Sequence, residues 1–413
     1  MRTESIRFID AYVGRPLCFV LTVLRRLGKP IGLVRPARSP VRRICFVKLV
    51  EQGATVLAYE AIRRARELVG RENVFFCVFE QNREVIDALD LIAPENVITI
   101  REDSVFHFLT DAVRAAVFAR RNGIDAMIDM EFFARGSAIL CFMMGGSRRV
   151  GLHRFDDETP YRGDLLTHRV PYNPHLHTAE AYALLVEALG RDPDERPLLK
   201  VPMAHVEPEL PPHTPAPERV ENMRRELEAA LGHEPGRPIV FFNPNPVDPL
   251  FVRKWPAENY EALAERIRAD HPDASFVLIG MPYEREGCEA VREAIGPKHV
   301  ANMAGKTRLS DLLALYTFCD VLVTNDSGAA HFASVMDVPQ VVFFGPETPA
   351  LFSPLGQHTR VLYKQLACSP CLNAFNHRFS VCRDNVCVRR ITVDEVYERV
   401  EPFLAARQGG RER

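Results

Sequence analysis

Short apolar runs with strand character recur along this chain, each followed by a stretch of helical periodicity, and the pattern runs twice, on either side of a proline-rich segment. Ile44–Val50, Val74–Phe79, Val97–Ile100 and Ala126–Met130 read as buried strands with helical stretches between them. Parallel strands need crossover connections, and a sheet covered on both faces gives continuous rather than alternating apolar runs, so this order calls for a parallel α/β sheet. Pro202, Pro208, Pro211, Pro212, Pro215 and Pro217 then mark a linker, followed by a charged helix from Glu218 to Leu231. The pattern restarts with a strand at Pro238–Asn243. Pro256 opens a helix whose Tyr260, Leu263, Ala264 and Ile267 share a face, and Ser275–Gly280 is the next strand. At 413 residues the chain exceeds what one core usually covers. The expectation is two doubly wound domains facing each other across a cleft, with no short-period repeat and no low-complexity tract.

The most informative turn is Asn325-Asp326-Ser327-Gly328, between the apolar run Asp320–Thr324 and the small-residue start of a helix carrying His331. Strand, polar turn and helix start place backbone N–H groups, the positive end of a helix dipole and a histidine around one anion, and a diphosphate is the natural guest. The following strand, Val341–Pro346, ends in a second polar turn. Both turns therefore fall at the carboxyl edge of one parallel sheet, where ligands of such sheets bind.

A hydrophobic content of 47%, a charged content of 26% and a net charge of −2 exclude a disordered chain and give no footprint for nucleic acid. The charge is uneven. Residues 1–43 hold ten Lys or Arg against Glu4 and Asp10, a local balance of +8. This leader contains Ile6, Phe8, Ile9, Tyr12 and Val13, then an uncharged stretch from Pro16 to Leu24. That stretch is too short to span a bilayer and lacks a small-residue cleavage site. It reads as a basic amphipathic element for the anionic face of a membrane or as an arm packed on the body of the protein.

Val323-Thr324-Asn325-Asp326-Ser327-Gly328-Ala329-Ala330-His331, with the strand that follows and Phe344-Gly345-Pro346, resembles the signature of family 9 glycosyltransferases, the heptosyltransferases of lipopolysaccharide core assembly. In that family the signature is Asp-Thr/Ser-Gly-x-x-His followed by Phe-Gly-Pro-Thr. Arg253-Lys254-Trp255-Pro256, Gly280 to Glu284, and Ala304-Gly305-Lys306 agree with it in order, and the similarity runs from about residue 44 to 400. The resemblance implies a GT-B fold of two Rossmann-like domains, the acceptor on the first and a nucleotide sugar, typically ADP-heptose, on the second. By position it puts Asp326, Ser327, Gly328 and His331 around the diphosphate with Arg253 or Lys254 opposite. Glu284 would accept from the ribose hydroxyls, and the backbone of Ala304 to Thr307, including Lys306 and Thr307, would read the base. It implies inverting transfer without a metal, since a helix dipole and basic side chains can stabilise a leaving diphosphate.

The chain departs from the family at the first strand–helix turn. Relatives carry Lys-Leu-Gly-x-x-Gly-Asp-Val-Leu, with the Asp as proposed base, whereas Lys48–Val56 here places Ala54 at that position. Glu51, three residues earlier, is the nearest carboxylate and is taken as the base. Asp129 and Glu131 are assigned to the acceptor side. The 151–177 region, with His153, His168, His175, His177, Arg154, Arg162 and Arg169, reads as a polar surface loop. Its His175-x-His177 pair is too little for a metal site.

Cys368, Cys371, Cys382 and Cys387 cluster near the C-terminus and are expected to form a structural zinc site that staples a long loop, an iron–sulfur cluster being the other reading. Cys45, Cys77 and Cys141 lie in apolar runs and read as buried thiols. The expected organisation is a membrane-associating leader (1–43), an acceptor-side domain (44–201), a linker and helix (202–237), a nucleotide-sugar domain (238–392) holding the cysteine loop 368–387, and a C-terminal helix and tail (393–413). The expected activity is heptosyl transfer from ADP-heptose to a lipopolysaccharide-core-type or other lipid-linked acceptor. No catalytic cofactor is needed, and the place of work is the cytoplasmic, inner face of the membrane. A catalytically degenerate domain that binds nucleotide sugar or glycolipid, and a nucleotide-sugar hydrolase or epimerase, are the alternatives.

Overall fold

The structure is a computed structural model that describes residues 10–28, 40–154, 161–202, 206, 210–244, 251–376 and 378–409. Leader residues Arg2, Glu4, Ile6, Arg7, Phe8, Ile9, Lys29, Arg35 and Arg38, and Pro208 of the linker, lie outside the described residues. The chain divides into two units, Met1–Val206 and Glu207–Arg413.

In the first unit, β1 (Ile44–Val47), β2 (Val74–Phe79), β3 (Val97–Ile100), β4 (Ala126–Asp129), β5 (Arg148–His153) and β6 (His168–Pro171) form a parallel sheet of order β3-β2-β1-β4-β5-β6. The second unit builds its sheet from β7 (Ile239–Asn243), β8 (Ser275–Leu278), β9 (Val300–Asn302), β10 (Val321–Asn325), β11 (Gln340–Phe344) and β12 (Thr359–Tyr363). Its order is β12-β11-β10-β7-β8-β9, again all parallel. Read from the opposite edge this is the same topology, with the strand order reversing between the first and fourth strand of each unit. Such a reversal opens a crevice at the carboxyl ends of those two strands. The residues after β1 and β4, and after β7 and β10, are therefore the ones that the topology brings together.

The structure corrects several sequence expectations. The apolar run Ile44–Val50 is strand only to Val47, because the N–H groups of Leu49 and Val50 donate to the Glu131 carboxylate instead of to a neighbouring strand. The 151–177 region is not a surface loop, since it contains the end of β5 and all of β6. Those strands escape an apolar-run reading because polar residues in them are buried with their partners. Arg149 Nε donates to the Leu165 carbonyl at 2.5 Å, and His168 Nε2 lies 3.2 Å from the Arg191 carbonyl. β9 is three residues long and β12 is a half-exposed edge strand, so neither presents a strong pattern.

Cores sit between sheet and helices. In the second unit, Trp255 packs 4.8 Å from the Tyr260 ring and 4.7 Å from Phe343, and its Nε1–H donates to the Ile391 carbonyl at 2.9 Å. Val396, Val400 and Leu404 of the C-terminal helix, Val393–Gly409, join that core. In the first unit, Ala112, Ala115 and Ala119 of the Val105–Arg121 helix and Leu140, Cys141 and Met144 of the Arg135–Met144 helix cover Cys45, Val47, Phe75 and Cys77. Cys45, Cys77 and Cys141 are buried free thiols.

The basic leader forms a helix, Gly14–Gly28, seated on the first unit. Its small residues Gly14, Cys18, Thr22 and Gly28 recur at i, i+4, i+8 and i+14 and are buried, with Cys18 against Ile139 and Leu165. A Cβ on Gly14 would come within 2.9 Å of Arg135 Cβ, so only glycine permits this approach. Just before it, Asp10 Oδ1 accepts from the Arg135 and Gly136 N–H groups at 2.8 Å each, satisfying orphan donors at the start of the Arg135–Met144 helix. Arg25 and Arg26 both reach Asp164, at 2.9 and 3.0 Å. Among the described residues no helix is long and apolar enough to cross a membrane.

Candidate functional site

The switch point of the second unit holds the diphosphate candidates. β10 ends at Asn325, Ser327 caps the Gly328–Val335 helix in extended conformation, and His331 lies on the first turn, nearly buried. Asn325 bolts the two central strands together. Its Oδ1 accepts from the Trp255 N–H at 2.9 Å and its Nδ2 donates to the Asn243 carbonyl at 3.2 Å. Asn243 Nδ2 in turn donates to Ser327 Oγ at 3.0 Å. The result is a cross-braced turn at which the helix presents its free N–H groups, the end of a helix that favours negative charge.

Arg253 lies beside this turn. Its guanidinium contacts Asp326 Oδ2 at 3.3 Å and Glu347 Oε1 at 3.1 Å, and Arg378 Nε stands 3.4 Å from the same Glu347 oxygen. Lys254 does not share this place: its carbonyl accepts from Asn385 Nδ2 at 2.7 Å, and its charge acts on Glu284. Glu347 is 1% exposed, and burial pushes its carboxyl up to about 8, with Asp326 adding to the rise and Arg253 opposing it. Burial also raises Asp326, again against Arg253. Burial thus favours the protonated form of Glu347, while Arg253 and Arg378 beside its Oε1 oppose that shift with positive charge.

Glu284 sits at the end of the next loop. Its Oε2 accepts from the Met281 N–H at 2.6 Å, while Oε1 is buried without a protein partner. A Cβ on Gly280 would lie 2.9 Å from Glu284 Oε2, so glycine lets this carboxyl group rest against the chain. Gly305, at φ +71°, donates its N–H to the Gly280 carbonyl at 2.9 Å and joins the two loops. Lys306 is exposed and Thr307 half-buried beside it.

The switch point of the first unit is built differently. Lys48, fully buried, pairs with Glu131 Oε2 at 2.9 Å and approaches Glu51 Oε2 at 3.5 Å. Glu131 Oε1 accepts from Leu49 N–H at 2.7 Å and from Val50 N–H at 3.0 Å, so one carboxylate fixes the whole turn after β1. Glu51 caps the short Gln52–Val56 helix at φ 69°, a left-handed conformation costing about 1 kcal/mol or more in a non-glycine residue. Ala54 is buried on that helix. Asp129 ends β4, wholly buried, its Oδ1 accepting from the Glu131 N–H at 3.1 Å and its Oδ2 standing 4.0 Å from Arg162 Nη1. Burial pushes the Asp129 carboxyl up to about 7, against the opposing pull of Arg162.

The four clustered cysteines fall between the end of β12 and the short Val386–Arg389 helix, which carries Cys387. Cys371 Sγ is 3.2 Å from Ser380 Oγ and Cys382 Sγ donates to the Asp384 carbonyl at 3.1 Å, while Cys368 is exposed and Cys387 buried. Cys371 and Cys382 both act on the Cys387 thiol, which burial raises, and among the described residues no three His, Cys, Asp or Glu side chains group so as to hold a metal.

Sequence reading missed Glu347 and Arg378 and the bonding role of Asn243 and Asn325. The visible signal for Glu347 was its replacement of threonine after Phe344-Gly345-Pro346. Arg378 follows no pattern and is brought in by the loop after β12.

The pattern of glycosyltransferase family 9 (heptosyltransferase) matches residues 118–378. The chain is 31% identical to lipopolysaccharide heptosyltransferase 2 of Salmonella typhimurium over 129 residues, 30% of this chain and 36% of that protein. It spans 32 to 46% of the length of the first curated relatives it matches. In fold it is similar to the Escherichia coli ADP-heptose lipopolysaccharide heptosyltransferase II, with TM-score 0.66, 18% identity, and coverage of 89% of this chain and 99% of that one. A family 9 glycosyltransferase of Veillonella parvula gives TM-score 0.68 at 19% identity, covering 90% of this chain and 99% of that chain.

Proposed function

The chain belongs to glycosyltransferase family 9, and on that premise we propose that it transfers heptose from ADP-heptose to a lipopolysaccharide-core-type or other lipid-linked acceptor, with inversion and without a metal. The observation that carries this reading is Arg253 held between two buried carboxylates beside the start of the Gly328–Val335 helix. The names of the Salmonella and Escherichia coli relatives support heptose and ADP.

In this reading the donor diphosphate lies on the turn Asp326-Ser327-Gly328, with the helix N–H groups, His331 and Arg253 around it. Glu284 Oε1 accepts from the ribose, and the backbone near Lys306 and Thr307 receives the base. Glu51 takes the proton from the acceptor hydroxyl as that oxygen attacks the anomeric carbon from the face opposite the diphosphate. The bond from that carbon to the phosphate oxygen breaks, and the charge that develops on the leaving ADP meets preorganised donors. Those donors supply the stabilisation for which a metal is otherwise used. Glu131 acts through Lys48 and the Leu49 and Val50 N–H groups and positions the turn that carries Glu51. The basic Gly14–Gly28 helix supports placement at the inner face of the cytoplasmic membrane, where a lipid-linked acceptor resides.

Ala54, in place of the usual Asp, favours one other reading, a domain that binds donor without turning it over. Calorimetric titration with a panel of nucleoside diphosphates and their sugars, alongside His331→Ala and Asp326→Ala, tests the proposal. Selective binding of ADP or ADP-heptose that both substitutions weaken is the expected result. Indifference to every nucleotide overturns it, and binding with no transfer to any acceptor leaves the degenerate reading.

A further inference from the structure

Two helices of the first unit are turned inside out relative to the usual amphipathic design. On Gly14–Gly28 the buried residues are Gly14, Cys18, Thr22 and Gly28, whereas Leu17, Phe19, Val20, Val23, Leu24 and Leu27 are exposed. On Val105–Arg121 the buried face is Ala112, Ala115, Ala116 and Ala119 with Asp111, and the exposed residues are Val105, Phe106, Leu109, Val113 and Val117. Residues 105, 109, 113 and 117 recur every fourth position and form one continuous stripe. Most of the large apolar side chains left exposed among the described residues lie on or next to these two helices. A soluble helix buries its large apolar residues and shows its small or polar ones to water, so an inverted pair marks a surface built for another medium.

The two helices belong to one layer. Both pack against Arg135–Met144, which makes them flanking neighbours of one helix. Charge selects the occupant. Arg15, Arg25 and Arg26 are the only charged residues of the first helix, the last two sharing the single acid Asp164. Arg114, Arg120 and Arg121 accompany the second, whose one acid, Asp111, is buried against Arg101 and Arg114. A second copy of the same face would set arginine against arginine. Anionic lipid headgroups supply the opposite charge, with acyl chains beneath to receive the apolar residues.

We propose that the outer faces of Gly14–Gly28 and Val105–Arg121 together form a lipid-binding surface that inserts shallowly into an anionic bilayer. The inference deepens the lipid-linked acceptor reading and rests on it for its purpose. It also turns the basic leader from an isolated anchor into half of a rigid two-helix platform.

The test is sedimentation of the full chain with phosphatidylglycerol/phosphatidylethanolamine vesicles and with phosphatidylcholine vesicles. It compares the parent with Leu109→Glu/Val113→Glu and with Leu24→Glu/Leu27→Glu. Each pair is expected to lower partition onto the anionic vesicles about tenfold or more while leaving ADP affinity unchanged. Phe106→Trp supplies a second readout, since its emission moves to shorter wavelength on insertion. Unchanged partition in the 109/113 pair, or no emission shift, overturns the proposal. So does a change in oligomeric mass without a change in partition, which would make the face a contact between copies. Failure of every nucleotide to bind, with vesicle partition intact, would remove the catalytic reading alone.

Discussion

The two units share one strand order and put charged residues at the same two places in it, yet they use those charges in opposite ways. In the first unit Lys48 and Glu131 close on each other, and Glu131 spends its remaining oxygen on the backbone of the turn after β1. In the second, Arg253 bridges Asp326 and Glu347 while Glu347 Oε2, Arg253 Nε and Asn243 Oδ1 stay buried without a protein partner. A buried polar atom left without a partner costs about 1–3 kcal/mol, so such atoms collect where a ligand is to satisfy them. Such atoms occur at the first switch point too, where Asp129 Oδ2 and Arg162 Nη1 are buried without a hydrogen-bond partner. The comparison teaches that identical topology supplies a crevice twice, and that the units differ in what stands there: a lysine–glutamate pair bracing a turn in one, an arginine between two carboxyl groups beside a helix start in the other.

The largest expected effect falls on turnover. Glu51→Gln should lower the transfer rate by about 10² to 10⁴ with donor affinity unchanged, as loss of a general base does. Single-turnover kinetics beside calorimetry check this, and full activity in the variant would strike Glu51 from the mechanism. Next comes Arg253→Ala, which leaves the buried Asp326 carboxylate without its cation and takes away the charge proposed to face the diphosphate. A stability loss of about 3–5 kcal/mol, with donor binding abolished, is expected from denaturant melts and titration. Lys48→Met should cost a similar amount in stability by isolating Glu131, yet leave donor affinity within about twofold. Loss of donor binding in that variant would erase the division of labour between the units.

The smallest effects are pH dependences. Between 3.8 and about 7 the buried Asp129 carboxyl holds a proton that the unfolded chain has released, so the folded state binds more protons and stability falls as pH rises through that window. Asp129→Asn should flatten this slope, which is at most about 1.4 kcal/mol per pH unit, and melts across pH would reveal a persistent slope if the assignment is mistaken. In the second unit the same sign appears in binding. Glu347, pushed up to about 8, loses its proton above that pH and sets a second negative charge beside the diphosphate. Donor affinity should fall as pH rises past about 8, and Glu347→Gln should remove the fall.

The strand–helix alternation, the restart after the prolines and the turn at Asn325–Gly328 were readable in the sequence because they rest on local patterns, apolar runs and the residue types that a tight turn and a helix start demand. β5 and β6 were not, because Arg149 and His168 are hidden by bonds to carbonyls at distant positions. Nor did a run such as Ile44–Val50 announce that it would stop at Val47, since a carboxylate more than eighty residues away claims its last N–H groups. The cysteine spacing suggested a metal centre, and only the fold decides how those thiols are placed, with Cys368 exposed, Cys387 buried, and Cys371 and Cys382 beside Ser380 and Asp384. Composition gave the leader its charge, but only packing decided that its small residues would face the protein and its large ones outward. Sequence by itself determined the strand–helix alternation of most elements and the polar turn at the start of the Gly328–Val335 helix, for these are near-neighbour properties of the chain. The tertiary structure alone decided which charges are neutralised, which stay open and which apolar faces remain uncovered, because each depends on burial and on partners brought from far along the chain.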